Sequence, residues 1–176
     1  CTAVIATSAT PLGLPGELRL AGLSQADLTE AVLVGTTGEP AAQAVGEAGA
    51  RRALWVASRG LPGVALSLAR ELAGLAAIED AVVHLALRAA PAAAFLDVDA
   101  NLIRLLELAA ERATDDAARA RVLARLAGEL LGDAAAAARR RALADEALRL
   151  ARRTGDPGTL AEVLDARLRA LWDPAG

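Results

Sequence analysis

The sequence predicts a mainly α-helical protein, in which one short N-terminal strand precedes a small helical region and an antiparallel solenoid of helix pairs. Hydrophobic residues make up 55% of the 176 residues but aromatic residues only 2%, so the core must be built from Leu, Val and Ala. Ala and Leu favour helices, and aromatic strand formers are scarce. Apolar residues also recur with helical spacing between Gly and Pro breaks, which is typical of amphipathic helices.

Changes in composition divide the chain into four parts. Residues 1–23 contain an apolar run at Thr2–Thr7, which predicts a strand, and then a loop rich in Gly and Pro. Residues 24–90 carry helical periodicity, residues 91–96 form a low-complexity linker, and residues 97–176 carry further amphipathic patterns. Because the chain has no methionine and its apolar run begins at once, we expect it to be an internal piece of a longer protein.

Four helices are expected in residues 24–90. Ser24 is a suitable N-cap for the first, and Asp27 three residues later gives a capping-box-like pattern. The other three are expected at about Pro40–Ser58, Pro62–Leu75 and Ile78–Arg88. In the second helix the residues that follow helical spacing are Val45, Ala48, Arg52, Trp55 and Val56, and the apolar positions of the third are Leu61, Ala65, Leu68, Ala69 and Leu72.

Four more amphipathic helices are expected in residues 97–176. Their apolar stripes are Val98, Leu102, Leu105, Leu106 and Ala109; Val122, Leu123, Leu126 and Leu130; Leu143, Ala147, Leu150 and Ala151; and Leu160, Val163, Leu164, Leu168 and Leu171. The two pairs resemble each other at an offset of about 41 or 42 residues, as in helical-pair repeats. Such units cannot bury their apolar faces alone, so we expect further repeats to stack beyond Gly176.

Composition and charge exclude several classes of function. The formal net charge of −3 and a pI of about 5.3 argue against nucleic-acid binding by this chain. The run Arg139-Arg140-Arg141 is interpreted as a solvated helix face that pairs with Asp145 and Glu146. Because the sequence has no lysine, it has no phosphate-binding loop of the GxxxxGK[S/T] type.

Metal and hydrolase sites are poorly supported by the sequence. His84 is the only histidine and Cys1 the only cysteine, so no set of nitrogen and sulfur ligands is available. We interpret His84 as a structural residue, since no nucleophile motif accompanies it. Asp97 and Asp99 could resemble a carboxylate pair, but acidic residues at this point are typical of a helix N-terminus.

The location is expected to be the cytoplasm, without a membrane partner. A single cysteine fits a reducing compartment, because it cannot form a disulfide framework within the chain. No apolar run approaches the roughly 20 residues that a membrane-spanning helix needs.

The segment Gly60-Leu61-Pro62 is the candidate binding site in this sequence. Gly60 is expected to end one helix and Pro62 to open the next. A proline ring at a helix start can present a rigid apolar surface to a flat ligand such as adenine. The alternative interpretation is a plain corner between two helices, and the residues by themselves leave both open.

The order of several short motifs resembles a known family. Gly60-Leu61-Pro62 followed by Val64-Ala65-Leu66 looks like the GxP motif of STAND-class nucleotide-binding switch ATPases. The region is similar to the lid of the LuxR-type and MalT-like regulators of actinobacteria. Residues 3–8 resemble the late core strand of that ATPase, although Ala9 stands where the family often has Arg. Residues 20–24 resemble the step into the lid, and residues 143–174 resemble the first tetratricopeptide-like repeats.

The resemblance implies a nucleotide-dependent switch. Residues 1–23 would end the ATPase core, residues 24–90 would form the lid, and residues 97–176 would form incomplete repeats. Gly60, Leu61 and Pro62 would line the adenine side of an ATP or ADP site. The phosphate site with its Mg²⁺ and any slow ATPase chemistry would lie upstream, so no catalytic residue is assigned.

The implied partners are the upstream ATPase core and a protein or small-molecule inducer bound to the repeats. DNA would be bound only through a C-terminal domain that this chain does not contain. Two alternatives remain: a helical-repeat interaction module without nucleotide binding, and a small-molecule enzyme. The scarcity of His, Cys and Lys chemistry disfavours the enzyme.

Overall fold

The computed structural model describes residues 22–35, 48–74, 80–90 and 96–171. Within these ranges the chain forms α-helices and one 3₁₀ turn, with no strand, which confirms the mainly α class. The helices are α1 (Gln25–Gly35), α2 (Ala48–Ser58), α3 (Pro62–Gly74), α4 (Ala81–Arg88), α5 (Ala100–Arg112), α6 (Asp116–Glu129), α7 (Ala137–Thr154) and α8 (Pro157–Ala170), and the 3₁₀ turn is Ala134–Ala136. The predicted strand Thr2–Thr7 lies outside the described residues, as do residues 40–47 of the predicted second helix.

Side-chain caps explain where several helices begin. Ser24 and Asp27 form the predicted reciprocal pair: the Asp27 N–H donates to Ser24 Oγ at 3.3 Å, and this hydroxyl donates to Asp27 Oδ2 at 2.6 Å. Asp99 is the N-cap of α5, since its Oδ1 accepts the N–H groups of Asn101 and Leu102. The helix-terminus interpretation of the Asp97 and Asp99 pair is therefore confirmed.

The predicted start of α4 at Ile78 is wrong. The helix begins at Ala81, because Asp80 has an extended backbone and accepts the Val82 and Val83 N–H groups with its side chain. Such a cap satisfies backbone donors that no helical carbonyl can reach.

One large apolar core runs through all the described helices, beside a smaller cluster of Ala127, Ala144 and Ala170. Its fully buried large side chains include Leu28, Val32, Leu54, Leu72, Val82, Leu85, Leu102, Leu106, Val122, Leu126 and Val163. Contacts connect α4 with α2, α5 and α6, while α6 packs mainly against α7 and α8. Residues 91–95 of the predicted linker lie outside the described residues.

Several residues of the predicted helical patterns face solvent. Ala48 and Arg52 of α2 are exposed, and the helix buries Ala50, Ala53, Leu54 and Ala57. Val98 precedes α5 and is exposed, so it is not part of that stripe. Leu61, Leu164 and Leu168 are exposed as well. Helical spacing places the residues of each stripe on one side of a helix. The packing of neighbouring helices decides which side is buried.

The arginine run on α7 does not pair as predicted. Arg139 reaches Glu107 of α5, and Arg140 donates to the Leu131 carbonyl at 2.8 Å, beyond the end of α6. Asp145 instead accepts from Arg167 at 2.6 Å, and Glu146 pairs with Arg149. Part of this run therefore joins helices and satisfies terminal carbonyl groups, rather than forming only a solvated face.

Both ends of α4 are tied to the following helices. Arg112 Nε of α5 lies 2.6 Å from Asp80 Oδ2 at the start of α4. Arg125 of α6 donates to the Leu87 carbonyl at 2.7 Å and also to the Ala89 carbonyl at its end. Burial lowers the pKa of the Arg125 guanidinium, and the neighbouring carboxylate of Glu129 opposes this effect. These bonds fix α4 against α5 and α6.

Candidate functional site

The Gly60 corner, made of residues 22–23 and 55–64, contains all three predicted nucleotide-binding residues. It begins where α2 ends in a Schellman motif. The Arg59 N–H donates to the Val56 carbonyl and the Gly60 N–H to the Trp55 carbonyl, both at 3.1 Å. Arg59 and Gly60 have φ angles of 54° and 70°. The predicted stop at Gly60 is therefore built from two successive left-handed residues, of which Arg59 is the first.

A second segment of the chain closes this corner. The Leu23 N–H donates to the Gly60 carbonyl at 2.7 Å, and the Trp55 indole N–H donates to the Leu23 carbonyl at 2.8 Å. Both backbone groups of Leu23 are thus bonded to the end of α2. The step into α1 and the Gly60 segment, which are far apart in the sequence, are brought together here.

The two chain segments approach so closely that both need glycine. A Cβ atom on Gly60 would lie 2.8 Å from the Leu23 carbonyl oxygen and 3.0 Å from Gly22 Cα. A Cβ atom on Gly22 would lie 2.5 Å from the Arg59 carbonyl oxygen. Real Cβ atoms do not approach backbone atoms this closely, and the left-handed φ of Gly60 adds a conformational penalty for other residues.

The start of α3 lies on the outer side of the corner. Pro62 is the first helical residue, where its missing N–H costs nothing. The Leu61 N–H donates to the Ser58 carbonyl at 3.0 Å, which fixes the approach to the helix. Leu61 is 49% and Val64 42% exposed, and Pro62 is exposed between them. We call Leu61, Pro62 and Val64 the Pro62 surface.

The three predicted site residues thus differ in position. Leu61 and Pro62 belong to the Pro62 surface, whereas Gly60 is buried behind them. Gly60 therefore shapes the corner through its backbone. Sequence reasoning missed Gly22, Leu23 and Trp55 as its supports. The signal that could have pointed to Trp55 is its indole N–H, because a largely buried tryptophan in a chain with few aromatics needs an acceptor.

His84 lies between α3 and α4 in a small charged cluster. Its Nε2 atom is 3.3 Å from Glu71 Oε1, and Arg88 Nε is 3.1 Å from the same carboxylate oxygen. Among the described ranges, no group of three His, Cys, Asp or Glu side chains is arranged to hold a metal ion. His84 and Arg88 of α4 thus both contact Glu71 of α3.

None of the helices in the part of the chain that the structure describes combines the length and apolarity needed to cross a membrane.

Comparison with known proteins does not assign the chain to a family. No protein-family model matches it, and no curated protein or solved structure shows significant similarity to it.

Proposed function

We propose that this chain is the lid and the first helix-pair repeats of an ATP-dependent switch in a cytoplasmic transcription regulator. Leu61 and Pro62 contact the adenine ring of ATP or ADP. The repeats of residues 97–176 bind an effector or partner, or hold the switch in its resting state. The observation that carries the proposal is the Gly60 corner, which holds an exposed apolar surface on a rigid support.

The chemistry of the Pro62 surface suits an adenine ring. Ligand sites combine apolar surfaces with a few fixed polar groups. The Pro62 ring and the Leu61 and Val64 side chains provide the apolar part. The pyrrolidine ring cannot rotate about its own backbone, so little side-chain entropy is lost when a flat ligand packs on it.

The backbone of the corner keeps this surface in place. Leu61 follows directly on Gly60, whose carbonyl accepts from Leu23 and whose N–H is bonded within the Schellman motif. Trp55 secures Leu23 in turn. Preorganisation of this kind lowers the entropy that binding must overcome.

The phosphates of the nucleotide require a lysine-bearing loop that this chain lacks. Its sequence contains no lysine, so the phosphate loop belongs to an ATPase core preceding the lid. Exchange of ATP for ADP would shift the lid between two positions against that core. The bonds from Arg112 and Arg125 to α4 would carry such a shift to the repeats.

The test is a pair of matched proline variants in the protein that the whole gene encodes. Pro62→Ala removes the proposed adenine contact, and we expect about tenfold weaker ADP binding, as for loss of one packed apolar group. Pro157→Ala is the control, because Pro157 is also an exposed proline at the first position of a helix. Titration calorimetry with Mg²⁺ measures both affinities.

Two results would contradict the proposal. One is an ADP affinity that is unchanged in Pro62→Ala, or lowered equally in Pro157→Ala. The other is the lack of a phosphate-binding loop and acidic Mg²⁺ ligands in the reading frame upstream of residue 1. Either result would favour the helical-repeat interaction module without a nucleotide.

A further inference from the structure

The last turn of α4 is not closed by the residues that follow it. The Ala89 N–H donates to the Leu85 carbonyl, but Ala89 then leaves the helix with φ −56° and ψ 138°, so no left-handed residue turns the chain back. At the ends of α2 and α7, Gly60 and Gly155 supply such a residue, with φ angles of 70° and 67°. The final carbonyl groups of α4 therefore need donors from another part of the chain.

Arg125 of α6 supplies these donors from 38 and 36 residues further along the chain. Its two terminal nitrogens donate to the Leu87 carbonyl at 2.7 Å and to the Ala89 carbonyl. The third nitrogen, Nε, lies 3.6 Å from Glu129 Oε1, one turn later on α6. The guanidinium thus serves three acceptors at once, which suits its fixed fork of five N–H donors.

The charge of Arg125 lies in a largely buried position. The side chains of Arg125 and Glu129 are 20% and 12% exposed, and burial lowers the pKa of the guanidinium while Glu129 opposes this effect. A buried charge is strongly destabilising once its partners are lost. A small displacement of α4 along α6 would therefore leave both the guanidinium and the two carbonyl groups unpaired, and each unpaired group carries its own penalty.

The contact between Arg125 and the end of α4 therefore has two favourable arrangements. In the first, α4 lies on α6 as observed, and Arg125 closes its last turn. In the second, α4 has moved off α6, and water takes the place of both partners. Positions between the two combine the loss of the hydrogen bonds with incomplete hydration, so the contact should open as a unit rather than slide.

We propose that Arg125 makes the order of the last turn of α4 depend on α6, and that this dependence couples the nucleotide site to the repeats. The Pro62 surface lies at the start of α3, and Glu71 of the same helix contacts His84 and Arg88 of α4. The coupling rests on the proposed nucleotide function, whereas the dependence of α4 on α6 is a property of this chain alone. Arg125 is a positioning residue and touches no ligand.

The first experiment measures amide hydrogen exchange in the whole chain for the wild type and for Arg125→Met. Methionine keeps most of the apolar stem but removes every donor. We expect exchange in residues 86–89 to become about tenfold faster or more, since a hydrogen bond from a charged donor is worth at least that factor. Arg125→Lys keeps the charge beside Glu129 but loses the fork of donors, so it should give a smaller increase at the same residues.

The matched control is Arg153→Met. Arg153 of α7 also connects two helices, because it pairs with Asp116 of α6 at 2.7 Å, but it makes no contact with α4. Its loss should leave exchange in residues 86–89 unchanged. Two results would overturn the dependence of α4 on α6: equal exchange in residues 86–89 for the wild type and Arg125→Met, or an equal increase there in Arg153→Met.

The second experiment adds Mg-ADP to the protein that the whole gene encodes. In the wild type, ADP should change exchange in residues 97–171, and in Arg125→Met this change should be lost while the ADP affinity measured by calorimetry stays the same. An exchange change that persists in Arg125→Met would overturn the coupling and leave the proposed nucleotide function intact. Absence of ADP binding to the wild type would overturn both the nucleotide function and the coupling, but not the dependence of α4 on α6.

Discussion

The Gly60 corner and the helix pairs of α5–α8 are stabilised in different ways. In the corner, backbone groups of Gly22, Leu23 and Gly60 lie in direct contact, and one indole N–H secures them. In the helix pairs, Ala and Leu side chains fill the space between helices, and arginines of one helix pair with carboxylates of a neighbouring helix. The corner should therefore be intolerant of single added atoms, whereas the helix pairs should respond to charge and helix propensity.

The largest expected effect is that of one methyl group in the corner. Gly60→Ala places a Cβ atom 2.8 Å from the Leu23 carbonyl oxygen at a φ of 70°, and we expect about 3 kcal/mol loss of unfolding free energy. The same change at Gly128, inside α6 with no atom near its Cβ position, should stabilise by about 1 kcal/mol. Urea denaturation compares the two variants. Similar changes in unfolding free energy for the two variants would mean that the corner is not the rigid part of the chain.

The next effect isolates the indole hydrogen bond. Trp55→Phe leaves the Leu23 carbonyl without its side-chain donor, and we expect about 2 kcal/mol loss of stability. The loss should be much smaller when Gly60→Ala is already present, because both changes act on the same contact. Full additivity in a double-mutant cycle would show that Trp55 and Gly60 act separately.

The contacts of the Gly60 corner that these two variants test were not predicted from the sequence. The Ser24 cap and the helix N-terminus at Asp99 depend on residues close in sequence, and their prediction is confirmed. The contact between Gly22 and Gly60 joins residues far apart in the chain, so no local pattern indicates it. Leu123 is buried, whereas Leu164, which matches it in the predicted repeat, is exposed. Helical spacing is the same at both positions, so the difference depends on which helix lies alongside.

The smallest expected effect is a pH dependence in the helix pairs. Asp156 caps α8, and hydrogen bonds from the Thr159 hydroxyl and from the Thr159 and Gly158 N–H groups lower the pKa of its carboxyl. Because its pKa is lower in the folded chain than in the unfolded one, Asp156 adds stability above about pH 4, and this stability is lost as the pH falls.

Asp156→Asn removes this titration but keeps a good N-cap. Its urea midpoint should therefore fall less than that of the wild type between about pH 5 and pH 2. Parallel pH curves for the two proteins would show that Asp156 is not responsible.

Hydrogen exchange tests the nucleotide proposal most directly. Addition of Mg-ADP to the protein encoded by the whole gene should slow amide exchange in residues 61–66, at the start of α3, and leave residues 157–162, at the start of α8, unchanged. Pro62→Ala should reduce that protection at equal ADP concentration. Protection confined to other segments, with residues 61–66 exchanging at the same rate with and without ADP, would contradict the assignment of the Pro62 surface as an adenine contact.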